Sequence, residues 1–170
     1  WTGSRPLRWG AAVVVLAYLV TFGNVRAVIG CGAASPAEGD VRIFTQNMYV
    51  GQADPAAVAA AMLASGADVA VLVEAWPPFR EALARQPGLE VFAYRLSVPG
   101  FEDGEIAVWS RWPLENAIGE RLSTRPFVQA VVQAPAGPFT IGAVHTAAPT
   151  DQREVANWAG ELASLGLVDR

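Results

Sequence analysis

From residue 41 onward the chain alternates between short apolar segments with a two-residue period and longer segments with helical spacing. This alternation restricts the possible folds more than any other feature, because alternating strands and helices pack as the layers of an α/β domain. Strands are predicted at Val41–Gln46, Asp68–Val73, Leu89–Leu96, Glu105–Trp109, Phe127–Gln133 and Phe139–Val144. We therefore predict the order β-α-β-α-β-β-β-β-α, in which the second part of the domain is mostly antiparallel.

Capping signals indicate the ends of three helices. Asp54-Pro55 is typical of an N-cap followed by a first helical turn, and Gly66 ends that helix. A second, short helix begins at Pro78 and ends before Pro87-Gly88. Thr150 is the predicted cap of the last helix, whose apolar stripe consists of Val155, Trp158, Leu162 and Leu165.

The first 32 residues differ from the rest, since residues 9–25 carry no charged side chain. As a helix this run would span roughly 25 Å, slightly less than a hydrocarbon core of ~30 Å. Arg5 and Arg8 precede it, and Trp9 stands where an interfacial aromatic anchor is expected. We predict that residues 1–32 are a membrane anchor, with residues 9–30 in contact with the membrane. The positive charges before the run then place the following domain on the extracytoplasmic side.

Two other interpretations of this segment stay open. It could be a secretory signal peptide, whose lipoprotein form would attach lipid at Cys31, or a buried helix of a soluble protein. Residues 33–40 are small and polar and are predicted to form a linker. The soluble domain then covers residues 41–170.

The composition excludes several kinds of site. A single cysteine, Cys31, excludes an internal disulfide and a zinc site built from several cysteines. A single histidine, His145, excludes sites that need two imidazoles. Residues 41–170 hold nine arginines against fourteen acidic residues. Because duplex binding gains affinity from cationic side chains that displace counterions, this net negative charge argues against a general duplex-binding domain.

Three polar residues stand directly after predicted strands, namely Asn47, Glu74 and His145. The ends of strands are where α/β domains gather their sites. Alone, Asn47 could start a turn, Glu74 could be an exposed residue and His145 could be a structural imidazole. If their strands are neighbours, the three converge, and a carboxylate with an amide oxygen favours Mg²⁺ or Mn²⁺ over zinc.

Four segments, in this order and spacing, resemble the endonuclease/exonuclease/phosphatase superfamily of deoxyribonuclease-like metallophosphoesterases. They are Val41–Tyr49 (VRIFTQNMY), Gly66–Glu74 (GADVAVLVE), Gly104–Leu114 (GEIAVWSRWPL) and Phe139–Pro149 (FTIGAVHTAAP) with Gln152-Arg153 after it. The second segment is moderately specific, and the ordered set of four is a strong resemblance. It implies that the domain is part of a two-sheet α/β sandwich, here preceded by a hydrophobic membrane segment.

The resemblance also implies roles for the three residues. Glu74 would ligate a divalent ion, Mg²⁺ or Mn²⁺, and Asn47 would help to position the metal or the phosphate. His145 would bind or protonate phosphate oxygens during in-line attack by water. The substrate would be a phosphate ester, with a phospholipid head group and a nucleic acid both open, and no protein partner is predicted. Ser110 and Arg111 match the third segment and are predicted to be bystanders.

Two motifs of the superfamily have no counterpart in the sequence. They are a later "GD.N" turn and a terminal "DH" pair, whose residues complete the metal and phosphate site in the family. We therefore expect a C-terminally truncated copy or fragment of a metal-dependent phosphoesterase, poorly soluble and inactive when residues 41–170 are isolated. The alternative hypothesis is a non-catalytic, membrane-tethered binding domain that retains the fold without a complete site.

Overall fold

The computed structural model describes residues 37, 39–98, 106–122 and 125–165. The chain separates into two compact units, Trp1–Glu38 and Gly39–Arg170. The predicted membrane anchor, residues 1–32, lies outside the described residues, and the boundaries predicted at residues 32 and 40 stay predictions. Within the described part, no helix is both long and apolar enough to span a bilayer.

The described residues form seven strands and three α-helices. In chain order they are β1 (Ile43–Asn47), α1 (Pro55–Ala64), β2 (Val69–Val73), α2 (Pro77–Ala84), β3 (Tyr94–Ser97), β4 (Ala107–Ser110), β5 (Leu114–Leu122), β6 (Arg125–Ala134), β7 (Gly137–Val144) and α3 (Gln152–Leu165). This order confirms the predicted α/β class and adds one strand, β5, that the sequence analysis missed.

The strands form two sheets that pack face to face. The first has the order β1-β2-β4-β3, in which β1 and β2 are parallel, and the second is the antiparallel sheet β5-β6-β7. Val71 and Val108 of the first sheet share a buried cluster with Val128 and Ile141 of the second. The two-sheet α/β arrangement predicted for the domain is therefore confirmed.

Helices α1 and α2 cover the other face of the first sheet. Met62 of α1 and Leu83 of α2 are fully buried in one cluster with Leu72 of β2. Strand β2 is thus covered on both faces, because Val71 points to the second sheet while Leu72 points to the helices. A strand buried on both faces needs apolar residues at every position, which explains the unbroken run VAVLV.

One predicted strand begins as a helical turn. Residues Leu89–Val91 form a 3₁₀ turn after Gly88, whose φ of 85° is left-handed, and the strand is confined to β3. The Arg95 guanidinium donates to the carbonyl oxygens of Leu89 at 2.9 Å and Phe92 at 3.1 Å. It also lies 4.1 Å from the centroid of the Trp109 ring, and burial lowers the pKa of Arg95. These contacts hold the turn that periodicity alone assigned to a strand.

The missed strand and the last helix have local explanations. Strand β5 (LENAIGERL) lacks apolar alternation, and a bulge between Glu115 and Ile118 interrupts its register. Helix α3 begins at Gln152, where the Asp151 Oδ1 atom accepts from the N–H groups of Arg153 at 2.8 Å and Glu154 at 2.9 Å. Asp151 rather than Thr150 therefore caps this helix, and most of its apolar stripe is partly exposed.

Candidate active site

Asn47 and Glu74 meet because their strands are parallel neighbours. In the register of β1 and β2, Asn47 lies opposite Val73, so Glu74 follows β2 at the same edge of the sheet. The Asn47 Nδ2 atom donates to Glu74 Oε1 at 2.8 Å. Two of the three residues singled out from the sequence are therefore in direct contact.

His145 reaches the same point from the second sheet. It follows β7, and its Nε2 atom lies 3.2 Å from Glu74 Oε1. The two side chains are only 14% and 15% exposed, so this contact is largely shielded from water. The structure thus brings together all three candidate residues, while their catalytic and metal-binding roles stay predictions.

A left-handed turn after β1 supplies a third contact to the carboxylate. Tyr49, Val50 and Gly51 have φ values of 50°, 54° and 73°. Non-glycine residues cost roughly 1–2 kcal/mol each in this conformation. The Val50 N–H group donates to Glu74 Oε2 at 2.7 Å, and the Tyr49 N–H group donates to the side-chain oxygen of Asn47 at 2.7 Å. These bonds offset the strain of the turn and hold both candidate side chains.

The sequence indicated a turn at Asn47 but not its left-handed form. Tyr49 and Val50 are not residues that favour positive φ, and Gly51 was the local signal for it. Glu74 itself has a φ of 57°, which turns the chain immediately after β2. Strained backbone of this kind persists where surrounding contacts enforce it, and it clusters at functional sites.

Glu74 has room at this edge for about one further ligand contact. A carboxylate accepts about four hydrogen bonds or ligand contacts, and Glu74 uses three of these positions for Asn47, Val50 and His145. Mg²⁺ is commonly held by one or two carboxylates together with water and substrate phosphate. Among the described residues, no cluster of three or more His, Cys, Asp or Glu side chains is present. The role of Glu74 as a metal ligand stays a prediction, and Asn47 donates to its carboxylate.

A buried glutamate holds the segment that follows His145. Glu161 of α3 is fully buried, and its Oε2 atom accepts from the Ala147 N–H group at 2.7 Å. Sequence reasoning missed this residue because a glutamate in an amphipathic helix is normally exposed. Glu161 thus connects α3 to the chain two residues beyond the candidate imidazole.

Replacing Glu161 by Ala should lower the free energy of unfolding by about 1–3 kcal/mol, because the buried Ala147 N–H group loses its acceptor. Urea denaturation of the two proteins measures the difference. Gln152→Ala, at the exposed start of the same helix, is the control and should change stability by less than about 0.5 kcal/mol. Equal effects of the two substitutions would contradict the assignment.

Gly51→Ala should disturb the turn that holds Glu74. A Cβ atom at Gly51 would lie 3.3 Å from Phe79 Cβ and 3.4 Å from Trp76 Cβ, and its φ is left-handed. We expect a loss of roughly 1–2 kcal/mol in unfolding free energy, with weaker Mg²⁺ binding measured by titration calorimetry. Gly160→Ala in α3 is the matched control, since nothing lies within 4 Å of a Cβ there. A stable Gly51→Ala protein with unchanged Mg²⁺ affinity would show that the turn tolerates a side chain.

Comparison with known proteins gives a family and a fold. Residues 44–167 match the family model described as the Endonuclease/Exonuclease/phosphatase family. Among curated proteins no sequence matches. A crystal structure of humanized D. rerio TDP2 with 14 mutations is similar, with a TM-score of 0.58 and 15% identity over 74% of this chain and 54% of that one.

A second similar structure is D. rerio TDP2 complexed with a single-strand DNA product. It has a TM-score of 0.57 and 16% identity, and the match covers 75% of this chain and 52% of that chain. This chain therefore spans about half the length of the solved structures that it matches. At these identities the likeness supports the fold alone.

Proposed function

Because the chain belongs to the Endonuclease/Exonuclease/phosphatase family, we propose that it contributes Glu74, Asn47 and His145 to the site of a divalent-metal-dependent phosphodiesterase. The observation that carries the proposal is the contact of Glu74 Oε1 with both Asn47 and His145, at 2.8 Å and 3.2 Å. A carboxylate and an imidazole from two different sheets meet at a partly shielded edge. Such a pair can hold a cation and exchange a proton with a phosphate oxygen.

In this proposal each residue has one task. Glu74 holds Mg²⁺ or Mn²⁺, and the ion, when bound, supplies Lewis-acid stabilisation of charge on the phosphoryl oxygens. Asn47 orients Glu74 through its Nδ2 atom. His145 binds a phosphate oxygen and holds or transfers a proton to it. The largely buried position of the pair limits access of bulk water to the reacting group.

The substrate class favoured by these observations is a single-stranded or locally unpaired nucleic acid. One similar structure, that of D. rerio TDP2, contains a single-strand DNA product. The net negative charge of residues 41–170 opposes broad duplex binding, which depends on cationic side chains. The proposed anchor in residues 1–32 would tether the domain to a membrane, with the domain on its extracytoplasmic side.

Metal removal tests the proposed activity. A protein that carries the complete site should hydrolyse bis(p-nitrophenyl) phosphate and a single-stranded oligonucleotide in Mg²⁺ or Mn²⁺, lose this activity in EDTA, and regain it when the metal is restored, whereas residues 41–170 alone should be inactive. Release of p-nitrophenol and gel analysis measure the two reactions. Hydrolysis that persists at full rate in EDTA would refute metal dependence. Mg²⁺ binding that needs Glu74, without any turnover, would favour the alternative of a non-catalytic binding domain.

A further inference from the structure

An apolar groove opens beside the carboxylate of Glu74. It has a volume of about 340 Å³ and is lined by Val50, Gly51, Trp76, Pro78 and Phe79. We propose that this groove binds the unstacked nucleobase of the nucleotide next to the reacting phosphate, with Trp76 as its stacking surface. This inference rests on the proposed function, and it names the group that the site would select beside the phosphate.

The groove and the carboxylate share the same backbone. The Val50 N–H group donates to Glu74 Oε2 at 2.7 Å, while the Val50 side chain lines the groove. Trp76 is two residues beyond Glu74, and its N–H group donates to the Glu74 carbonyl oxygen at 3.2 Å. The carboxylate and the groove are therefore neighbours, and a ligand whose phosphate lies at Glu74 can place its next group against Trp76.

The chemistry of the lining favours an aromatic ring over a charged group. None of the five lining side chains is charged, so the groove offers no partner for a second phosphate. The acyl chains of a phospholipid have no flat face to place against the Trp76 ring. A nucleobase instead presents a flat face, which stacks on an aromatic side chain whatever its sequence.

Trp76 lies at the start of α2, where its side chain is free to face the groove. Trp76 is the N-cap of α2, yet its side chain makes no capping hydrogen bond. Ser, Thr, Asp and Asn are strongly preferred at this position, because their side chains accept from the first free N–H groups of the helix. Pro77 and Pro78 follow it and have no N–H groups to cap, so Trp76 costs the helix little, and its side chain is 38% exposed beside the groove.

The groove is formed before any ligand binds. Gly51 packs so closely that a Cβ atom there would touch Trp76 and Phe79, and Phe79 is buried at 4% exposure. The left-handed turn that carries Val50 is tied to Glu74 by a hydrogen bond. Little ordering is then needed when a base enters, which favours binding.

Binding of adenosine 5′-monophosphate and ribose 5-phosphate to the full chain in Mg²⁺ tests the inference, because the two probes differ in the base alone. Titration calorimetry should give an affinity about tenfold higher for adenosine 5′-monophosphate. Trp76→Ser should reduce that affinity to the value for ribose 5-phosphate and leave ribose 5-phosphate binding unchanged. This variant introduces a favourable N-cap residue, so loss of folding is not expected.

Trp158→Ser is the matched control, because Trp158 is 37% exposed and lies on α3, away from the groove. It should leave both affinities unchanged. Equal binding of the two probes to the wild-type protein would overturn the inference and leave the proposed function standing. If neither probe binds, the phosphate site itself fails and both proposals fall. Tighter, Trp76-dependent binding of dihexanoyl phosphatidic acid than of adenosine 5′-monophosphate would assign the groove to lipid and overturn the nucleobase.

Discussion

In a protein that carries the complete site, Glu74→Gln should lower the metal-dependent rate of phosphodiester hydrolysis by about a hundredfold or more. The substitution keeps the size of the side chain and removes its charge, which weakens the ligand for Mg²⁺. It also places the new NH₂ group, a hydrogen-bond donor, opposite another donor. Both carboxylate oxygens of Glu74 accept hydrogen bonds, Oε1 from Asn47 and Oε2 from Val50, so the new NH₂ group faces a donor in either orientation. Hydrolysis of bis(p-nitrophenyl) phosphate gives kcat and KM, and calorimetry gives the affinity for Mg²⁺.

Glu81→Gln is the control for this substitution. Glu81 lies on the exposed side of α2, and its substitution by Gln makes the same change in net charge as Glu74→Gln. The control should keep the activity and the Mg²⁺ affinity of the unchanged protein. Near-normal turnover in Glu74→Gln would refute the assignment of Glu74 as the metal ligand.

His145→Ala should also reduce the rate by about a hundredfold or more, because it removes a positioned acid–base group. His145 is the single histidine of the chain, so no second imidazole can replace it. Its Nε2 atom also contacts Glu74 Oε1 at 3.2 Å, and the loss of this contact leaves the carboxylate less firmly held. The measurement is kcat at saturating Mg²⁺, which separates the chemical step from metal binding.

His145→Gln distinguishes proton transfer from positioning. The glutamine amide can donate a hydrogen bond to Glu74, but it does not exchange a proton at neutral pH. We expect Mg²⁺ affinity close to that of the unchanged protein, with a rate as low as that of His145→Ala. Recovery of the rate by glutamine would mean that His145 acts solely by orienting Glu74.

Local patterns in the sequence were sufficient for most of the first sheet and its helices. The Asp54 carboxylate accepts from the Ala56 N–H group at 3.0 Å and caps α1, and Gly66 adopts a φ of 64° just beyond the end of that helix, both as predicted. These features depend on residues a few positions apart, and capping preferences describe such short-range interactions well. The prediction that Asn47 and Glu74 would converge if their strands were neighbours is likewise met by the parallel register of β1 and β2.

Contacts between segments that are far apart in the sequence determine the features that the sequence analysis did not predict. The contact of His145 with Glu74 needs the second sheet to lie against the first, and hydrophobic periodicity within a strand does not specify which sheet it faces. The burial of Glu161 and the N–H contact from Val50 depend in the same way on partners far along the chain. The sequence by itself determined the family, the α/β class and the three candidate residues. Only the tertiary structure decided how Glu74 is held and where the groove beside it lies, because those contacts join segments that no local pattern relates.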